Sequence, residues 1–372
     1  MPFIIIGIRE FSKSQPIPGI FYLKKIFDSI IFFYNIYTLF PSLLINIRNN
    51  MQKLIAFYRV IFMAFTVFVF TACNSNSSGS LASATQNSVK QDSLNKVIAR
   101  GKYLVLHVAV CFHCHSHRDF TKYAGPEISG TEGEGGLIFD TAELSEMPGI
   151  VYSANITPDS ATGIGTWTDK EILRAMTQGI NKNGDTLFPL MPYYEFNRLA
   201  KNDLLSIIAY IRTLKPIKNQ VPARQLTIPI SKFYNEAALL KSVDGNVCPP
   251  QSDRVKYGGY LVTMAGCNGC HTPDDKHMLA GGLKFKAGTF KVTSANLTPD
   301  SSSGIGGWSE QAFLDKFIIC RDKQGYNYNP GKQNTVMPVV DFSGMTDGDL
   351  KAIYAYLRTV KPVKNNVVKF PN

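Results

Sequence analysis

Two stretches of the 372-residue chain share one apolar rhythm. Leu204, Leu205, Ile208 and Ile211 fall at helical spacing, as do Leu350, Ile353, Tyr354 and Leu357 after a Thr346-to-Asp349 cap signal. Each predicts a helix stopped by a Lys-Pro pair, Lys215-Pro216 or Lys361-Pro362, because proline lacks the N–H that would continue the ladder. Farther upstream, Ser93 to Leu104 and Arg254 to Leu261 predict a second pair of helices. In both, a Gly two residues before a Tyr predicts close approach of another helix. A third pair follows Trp167 and Trp308: Thr168 and Glu171 form a capping box before Ile172, Leu173 and Met176, and Ser309 caps the helix carrying Phe313, Leu314 and Phe317.

The polar and glycine positions repeat in the same order. Gly135-Gly136-Leu137 answers to Gly281-Gly282-Leu283, and Asn155-Ile156-Thr157-Pro158-Asp159 to Asn296-Leu297-Thr298-Pro299-Asp300. Gly163-Ile164-Gly165-Thr166-Trp167 answers to Gly304-Ile305-Gly306-Gly307-Trp308, and Met191-Pro192 to Met337-Pro338. The fold class expected is all-α, as two tandem domains spanning 90–216 and 254–365, each reading helix, loop, Gly-rich coil, helix, Met-Pro loop, helix. A proline-containing connector, 217–253, joins them, with a short helix expected around Phe233 to Leu240.

The loop after the first helix of each repeat carries the chemistry. Cys111-Phe112-His113-Cys114-His115 and Cys267-Asn268-Gly269-Cys270-His271 each place two thiols three positions apart, followed at once by an imidazole. That spacing lets both sulfurs bond to haem vinyl groups while the histidine ligates iron, so two covalently bound haem c groups are expected. A redox dithiol or half a zinc site fits less well, since the motif occurs twice inside one repeated frame. For the opposite face of each haem the repeat selects Met191 and Met337, which correspond to one another and precede proline. Met147, Met176, Met278 and Met345 have no twins. His107, His113, His117 and His277 lie too near the motifs in sequence to cross their own haem and read as surface or supporting residues. Histidine and thioether ligands, added to the four haem nitrogens, fill all six positions and favour one-electron transfer over catalysis at iron. Trp167 and Trp308 are expected to pack on the haems.

The N-terminal region reads as an export signal. Met51 begins a segment, 51–72, with Lys53 and Arg59, an apolar run from Val60 to Phe70 and a small-residue site before Cys73, which resembles the lipid-modified first residue of a bacterial lipoprotein. Residues 1–50 read as translated upstream sequence from an early start. The alternative is an anchor around Ile30 to Ile47, weakened by Asn35 and Pro41. Residues 73–89, rich in Ser, Asn, Ala and Thr, read as a flexible tether. The 300 residues after the signal carry 32 basic and 26 acidic side chains, only mildly basic, and no basic run interleaved with aromatics, so nucleic acid is not an expected partner. The remaining Cys248 and Cys320 suggest a disulfide, with two separate thiols as the alternative.

With these motifs in both halves, residues 90 to 365 resemble class I cytochrome c domains of the kind found in cytochrome subunits of membrane-bound alcohol and gluconate dehydrogenases. The resemblance implies small all-helical haem cages that pass electrons from a dehydrogenase subunit towards quinone or a terminal oxidase. The sequence departs from those subunits in having two haem motifs where they have three, and a lipobox in place of their anchoring. The function expected is a membrane-tethered dihaem electron carrier, without independent catalysis, between a periplasmic dehydrogenase or respiratory complex and an acceptor. Its haem domains would lie in the periplasm or at the cell envelope. A dihaem peroxidase or sulfur-compound oxidase with one open iron is the alternative, and a haem sensor or scaffold a third class. No nucleophile elbow supports serine catalysis, and the motif cysteines are committed to haem.

Overall fold

The computed structural model describes residues 78–142 and 147–371, with the backbone alone described for 78–89. The expected upstream segment, the expected export signal, Cys73 and the start of the expected tether lie outside the described residues. Contacts divide the chain into residues 1–84 and 85–372. Helix α1 (Ser78–Tyr103) begins inside the stretch whose composition predicts a tether. No proline falls between Ser78 and Tyr103, so a helix already nucleated can propagate back through Ser and Ala at little cost. Among the described residues no helix is long and apolar enough to cross a membrane.

In the first repeat, α1 leads through a π-helical turn (Leu104–Val108) into α2 (Cys111–His115), followed by α3 (Asp169–Gln178), α4 (Tyr193–Phe196) and α5 (Lys201–Ile211). The second repeat has α6 (Arg254–Met264), α7 (Cys267–His271), α8 (Glu310–Ile318), α9 (Val339–Ser343) and α10 (Asp347–Leu357). The expected caps form: Thr168 and Glu171 cap each other's backbone N–H groups, the Ser309 hydroxyl accepts from Ala312 N, and the Thr346 hydroxyl from Asp349 N.

The two glycine crossings share one geometry. A Cβ on Gly101 would stand 1.8 Å from the Ser206 carbonyl oxygen, and one on Gly258 would stand 1.9 Å from that of Ala352. Only glycine lets α1 meet α5, and α6 meet α10, this closely. From Gly101 to Cys111 is ten positions, whereas from Gly258 to Cys267 is nine. The π-helical turn absorbs that extra residue, as a one-residue insertion into a helix does.

Helices build the core, but the all-α expectation holds only in part. Short strands β1 (Ile138–Phe139), β2 (Gly149–Tyr152) and β3 (Gln225–Leu226) pair antiparallel, and β4 (Lys284–Ala287) pairs with β5 (Phe290–Thr293) across a two-residue loop opened by Gly288 at φ +55°. The connector has two 3₁₀ turns, Ile230–Lys232 and Glu236–Ala238, in place of the expected helix. In the second of these turns the Asn235 side chain caps a single turn and the backbone then extends.

The two repeats do not keep separate interiors. One continuous cluster runs from Leu104, Phe112 and Leu204 of the first to Leu261, Phe317 and Leu357 of the second. A reciprocal pair of bonds crosses the interface: Tyr103 OH donates to Asp349, and Tyr260 OH donates to Asp203 at 2.7 Å. Asp203 also accepts both Arg100 nitrogens, at 2.9 and 3.0 Å. Apolar sequence patterning marks which residues are buried, but not that two equivalent faces bury each other.

Candidate functional site

Each attachment motif is one helical turn entered through a left-handed residue, Val110 at φ +43° before Cys111 and Gly266 at φ +65° before Cys267. The left-handed step turns the chain sharply, so that a new turn starts at the first cysteine. Within that turn the two thiols, three residues apart, share a face and the histidine follows. Cys111, Cys114 and Cys267 are half-buried and Cys270 is exposed. Burial pushes the Cys111 and Cys267 thiols up to about 12 and that of Cys114 up to about 11.

Both histidines are anchored in one way. His115 Nδ1 lies 2.7 Å from the Ala154 carbonyl, and His271 Nδ1 lies 2.7 Å from that of Ala295. A carbonyl only accepts, so Nδ1 carries the proton and the Nε2 lone pair is the one that can face a metal. Burial lowers both imidazole pKa values, and the carbonyl bond partly offsets it, favouring the neutral form that ligates. Two thiols on one face, with a neutral imidazole whose Nε2 is available, fit a covalently attached haem.

The anchoring carbonyls are fixed by the repeated Gly and Asn positions. Gly135 and Gly281 have φ of +72° and +70°, and a Cβ on either would collide with the backbone of Ala154 or Ala295 at 2.4 Å. The next residue, Asn155 or Asn296, is buried and holds two segments together. Asn155 Nδ2 donates to Thr162 Oγ1 and the Ile217 carbonyl while its Oδ1 accepts from Thr157; Asn296 does the same with Ser303, Val363 and Thr298. The Asn-x-Thr-Pro-Asp motif is thus the frame that presents the histidine's acceptor, and Asp159 and Asp300 close the following turn by accepting backbone N–H groups.

Met191 and Met337 occupy matching turns. Pro192 has φ −79° and ψ 52°, Pro338 φ −76° and ψ 56°, and Tyr193 N and Val339 N each donate back to the methionine carbonyl, at 2.8 and 2.7 Å. These are inverse γ-turns, for which proline supplies the φ. Both methionines are half-buried against the core, whereas Met147, Met176 and Met345 are buried and Met278 is exposed. Trp167 packs against the core, and the ring of Trp308 is partly exposed beneath Lys316 Nζ at 5.2 Å.

Cys248 and Cys320 are separate free thiols. Cys248 is half-buried and feels the charges of Asp203 and Arg100, whereas Cys320 is fully buried beside Gly325 and Ser343. The expected disulfide is absent among the described residues, because being even in number says nothing about Cα approach.

Sequence reasoning missed a buried polar cluster at the junction of the repeats. His113 Nδ1 lies 3.2 Å from Asp341 Oδ2, Arg118 Nη1 lies 3.5 Å from both Asp341 and Glu127, and His107 Nδ1 lies 2.9 Å from the Asp341 carbonyl. Burial, followed by the Asp341 charge, pushes the Glu127 carboxyl up to about 7. His107 and His113 therefore serve the packing of one repeat on the other, while His117 pairs with Glu134 and His277 with Asp274 near the surface. No spacing rule marks this cluster, since its members come from segments more than 200 positions apart.

Residues 255–361 match the family model described as Cytochrome c. The chain is 31% identical over 294 residues to the alcohol dehydrogenase (quinone) cytochrome c subunit of Gluconobacter oxydans (strain 621H), covering 73% of this chain and 56% of that one. It is 30% identical over 274 residues to the fructose dehydrogenase cytochrome subunit of Gluconobacter japonicus, covering 71% and 52%. A diheme cytochrome c-type protein of Cereibacter sphaeroides is 26% identical over 274 residues, covering 68% and 83%. The chain spans just over half the length of the dehydrogenase subunits it matches. Residues 255–361 thus form a cytochrome c domain, the kind that holds haem c covalently, in a chain that resembles the cytochrome c subunits of bacterial dehydrogenases.

Proposed function

We propose that the chain is a dihaem c-type cytochrome that carries single electrons from a dehydrogenase to an acceptor, tethered to a membrane through Cys73. The observation that carries two haems is the duplicated anchor: the 2.7 Å bond from Nδ1 to a carbonyl at His115 recurs at His271, inside the same Gly and Asn frame. Cys111 with Cys114, and Cys267 with Cys270, would form the thioether bonds. His115 with Met191, and His271 with Met337, would be the axial pairs.

Bound haem supplies a one-electron ferric–ferrous couple. The chain supplies the rest. The Nδ1–carbonyl bond holds each imidazole in one tautomer and one orientation, so Nε2 would be positioned in advance for the iron. Thioether ligation by Met191 and Met337 would stabilise the ferrous state and raise the potential. The shared interior supports passage of an electron from one centre to the other inside the chain. Similarity to cytochrome subunits of alcohol and fructose dehydrogenases supports a dehydrogenase as the electron donor.

The test is a haem count and an absorption spectrum of the mature protein, wild type and with Met191→Ala or Met337→Ala. Two haems per chain are expected, and each variant should lose about half of the weak long-wavelength band of thioether bound to ferric iron. A high-spin centre in the wild type, or a methionine whose loss changes nothing, would refute this ligand set and move the reading to a haem enzyme with an open iron.

A further inference from the structure

Among the insertions by which the repeats differ, two meet. From His115 to Gly135 is 20 positions but from His271 to Gly281 only 10; from Trp308 to Met337 is 29 positions but from Trp167 to Met191 only 24. The extra residues of the first repeat form a turn at Ala124 and Gly125, with φ of +57° and +53°. Those of the second include Asn334, which is fully buried.

Asn334 spends every hydrogen-bonding position of its amide at this junction. Its Oδ1 accepts from Ala124 N and Thr335 N, both at 2.8 Å, and its Nδ2 donates to the Phe120 and Lys122 carbonyls at 2.9 and 3.0 Å. Tyr123 N reaches the Tyr326 and Tyr328 carbonyls, and the rings of Tyr123 and Tyr328 stack with centroids 5.5 Å apart. The segment pinned in this way leads directly to Met337, whose own N–H donates to Thr335 Oγ1 at 3.1 Å. On the other side of Met337, Asp341 receives Arg118 and His113, and His113 also faces the Val336 backbone. His113 belongs to the first attachment motif. Met191 N, by contrast, bonds to Phe188 within its own loop.

We infer that the first repeat clamps the axial-ligand loop of the second: Asn334 and His113 are positioning residues that hold Met337 against its iron. The inference rests on the dihaem reading above. It makes the second centre dependent on a correctly folded first motif, while Met191 is held locally.

The experiment isolates each thioether band in single-methionine parents. In the Met191→Ala parent the remaining band reports Met337, and in the Met337→Ala parent it reports Met191. Asn334→Ala and, separately, His113→Phe are added to both parents, with haem content and melting temperature measured alongside. Expected is loss of at least about half of the Met337 band and a roughly tenfold tighter binding of imidazole at that ferric centre, since buried amide partners left unpaired no longer fix the loop. The Met191 band should stay unchanged in Asn334→Ala, whose side chain lies outside both attachment motifs. Equal weakening of both bands would mean general destabilisation and overturn the inference, as would no change in either. His113→Phe preserves ring packing, so a misfolded Asn334→Ala alone does not decide the matter. A Met191→Ala parent without any thioether band would refute the ligand assignment itself and the clamp with it, a result visible before either positioning variant is made.

Discussion

Replacing Gly258 by alanine puts a methyl group where the structure has a backbone carbonyl. The new Cβ would lie 1.9 Å from Ala352 O, 2.5 Å from Ala352 C and 3.0 Å from Tyr356 Cβ. Favourable contact between such atoms is at about 3.5 Å, so α6 and α10 would have to part by roughly 1.5 Å. The obstacle is helix backbone, which cannot rotate aside as a side chain does. Overpacking of this kind costs about 1–3 kcal/mol, and a backbone clash belongs near 3. Alanine returns about 1 kcal/mol of helix propensity. A net loss of about 2 kcal/mol follows, or a melting point lower by roughly 4–8 °C for a unit of this size. Gly101→Ala, facing Ser206 O at 1.8 Å, should cost the same. Gly307→Ala is the control: nothing lies within 4 Å of its Cβ, and its twin in the first repeat is Thr166. Thermal and urea unfolding of the haem-loaded protein would read all three. If Gly258→Ala fell within about 0.5 kcal/mol of wild type, the close crossing would not be the reason for glycine and the packing argument would fail.

Two further outcomes are expected. Glu127 has a folded pKa raised from 4.5 to about 7, so its contribution to stability is complete below pH 4.5 and is lost as the pH rises through 7. That difference is worth up to about 3 kcal/mol. Glu127→Gln, which imitates the protonated acid, should flatten the decline in urea stability between those limits, and an unchanged pH profile would contradict the assignment. Cys248 and Cys320 should both react with a thiol reagent when the haem-loaded protein is denatured without reductant, giving two thiols per chain from these residues; recovery of none would mean that they are bridged.

What the sequence by itself determined is everything carried by short spacing. The Cys-x-x-Cys-His turns, the capping boxes at Thr168 and Glu171, and the periodic helices before Lys215-Pro216 and Lys361-Pro362 depend on neighbours a few positions away. The repeat extended that reach by showing which methionines and asparagines recur, and the glycine crossings followed from the same comparison. The β4–β5 hairpin is also written locally, as alternating Phe285, Ala287, Phe290 and Val292 around Gly288, a period of two that helical spacing does not reveal.

Tertiary structure alone decided how the repeats relate. The reciprocal Tyr103–Asp349 and Tyr260–Asp203 bonds, and the meeting of His113, Arg118 and Glu127 with Asp341, join segments that no local pattern connects. It also leaves Cys248 and Cys320 unbridged, which an even count of cysteines could not tell. The physical reason is the same in each case. Local propensity and spacing set what a segment can be, whereas burial of apolar faces sets which segments meet, and a polar group buried at that meeting must find its partner there.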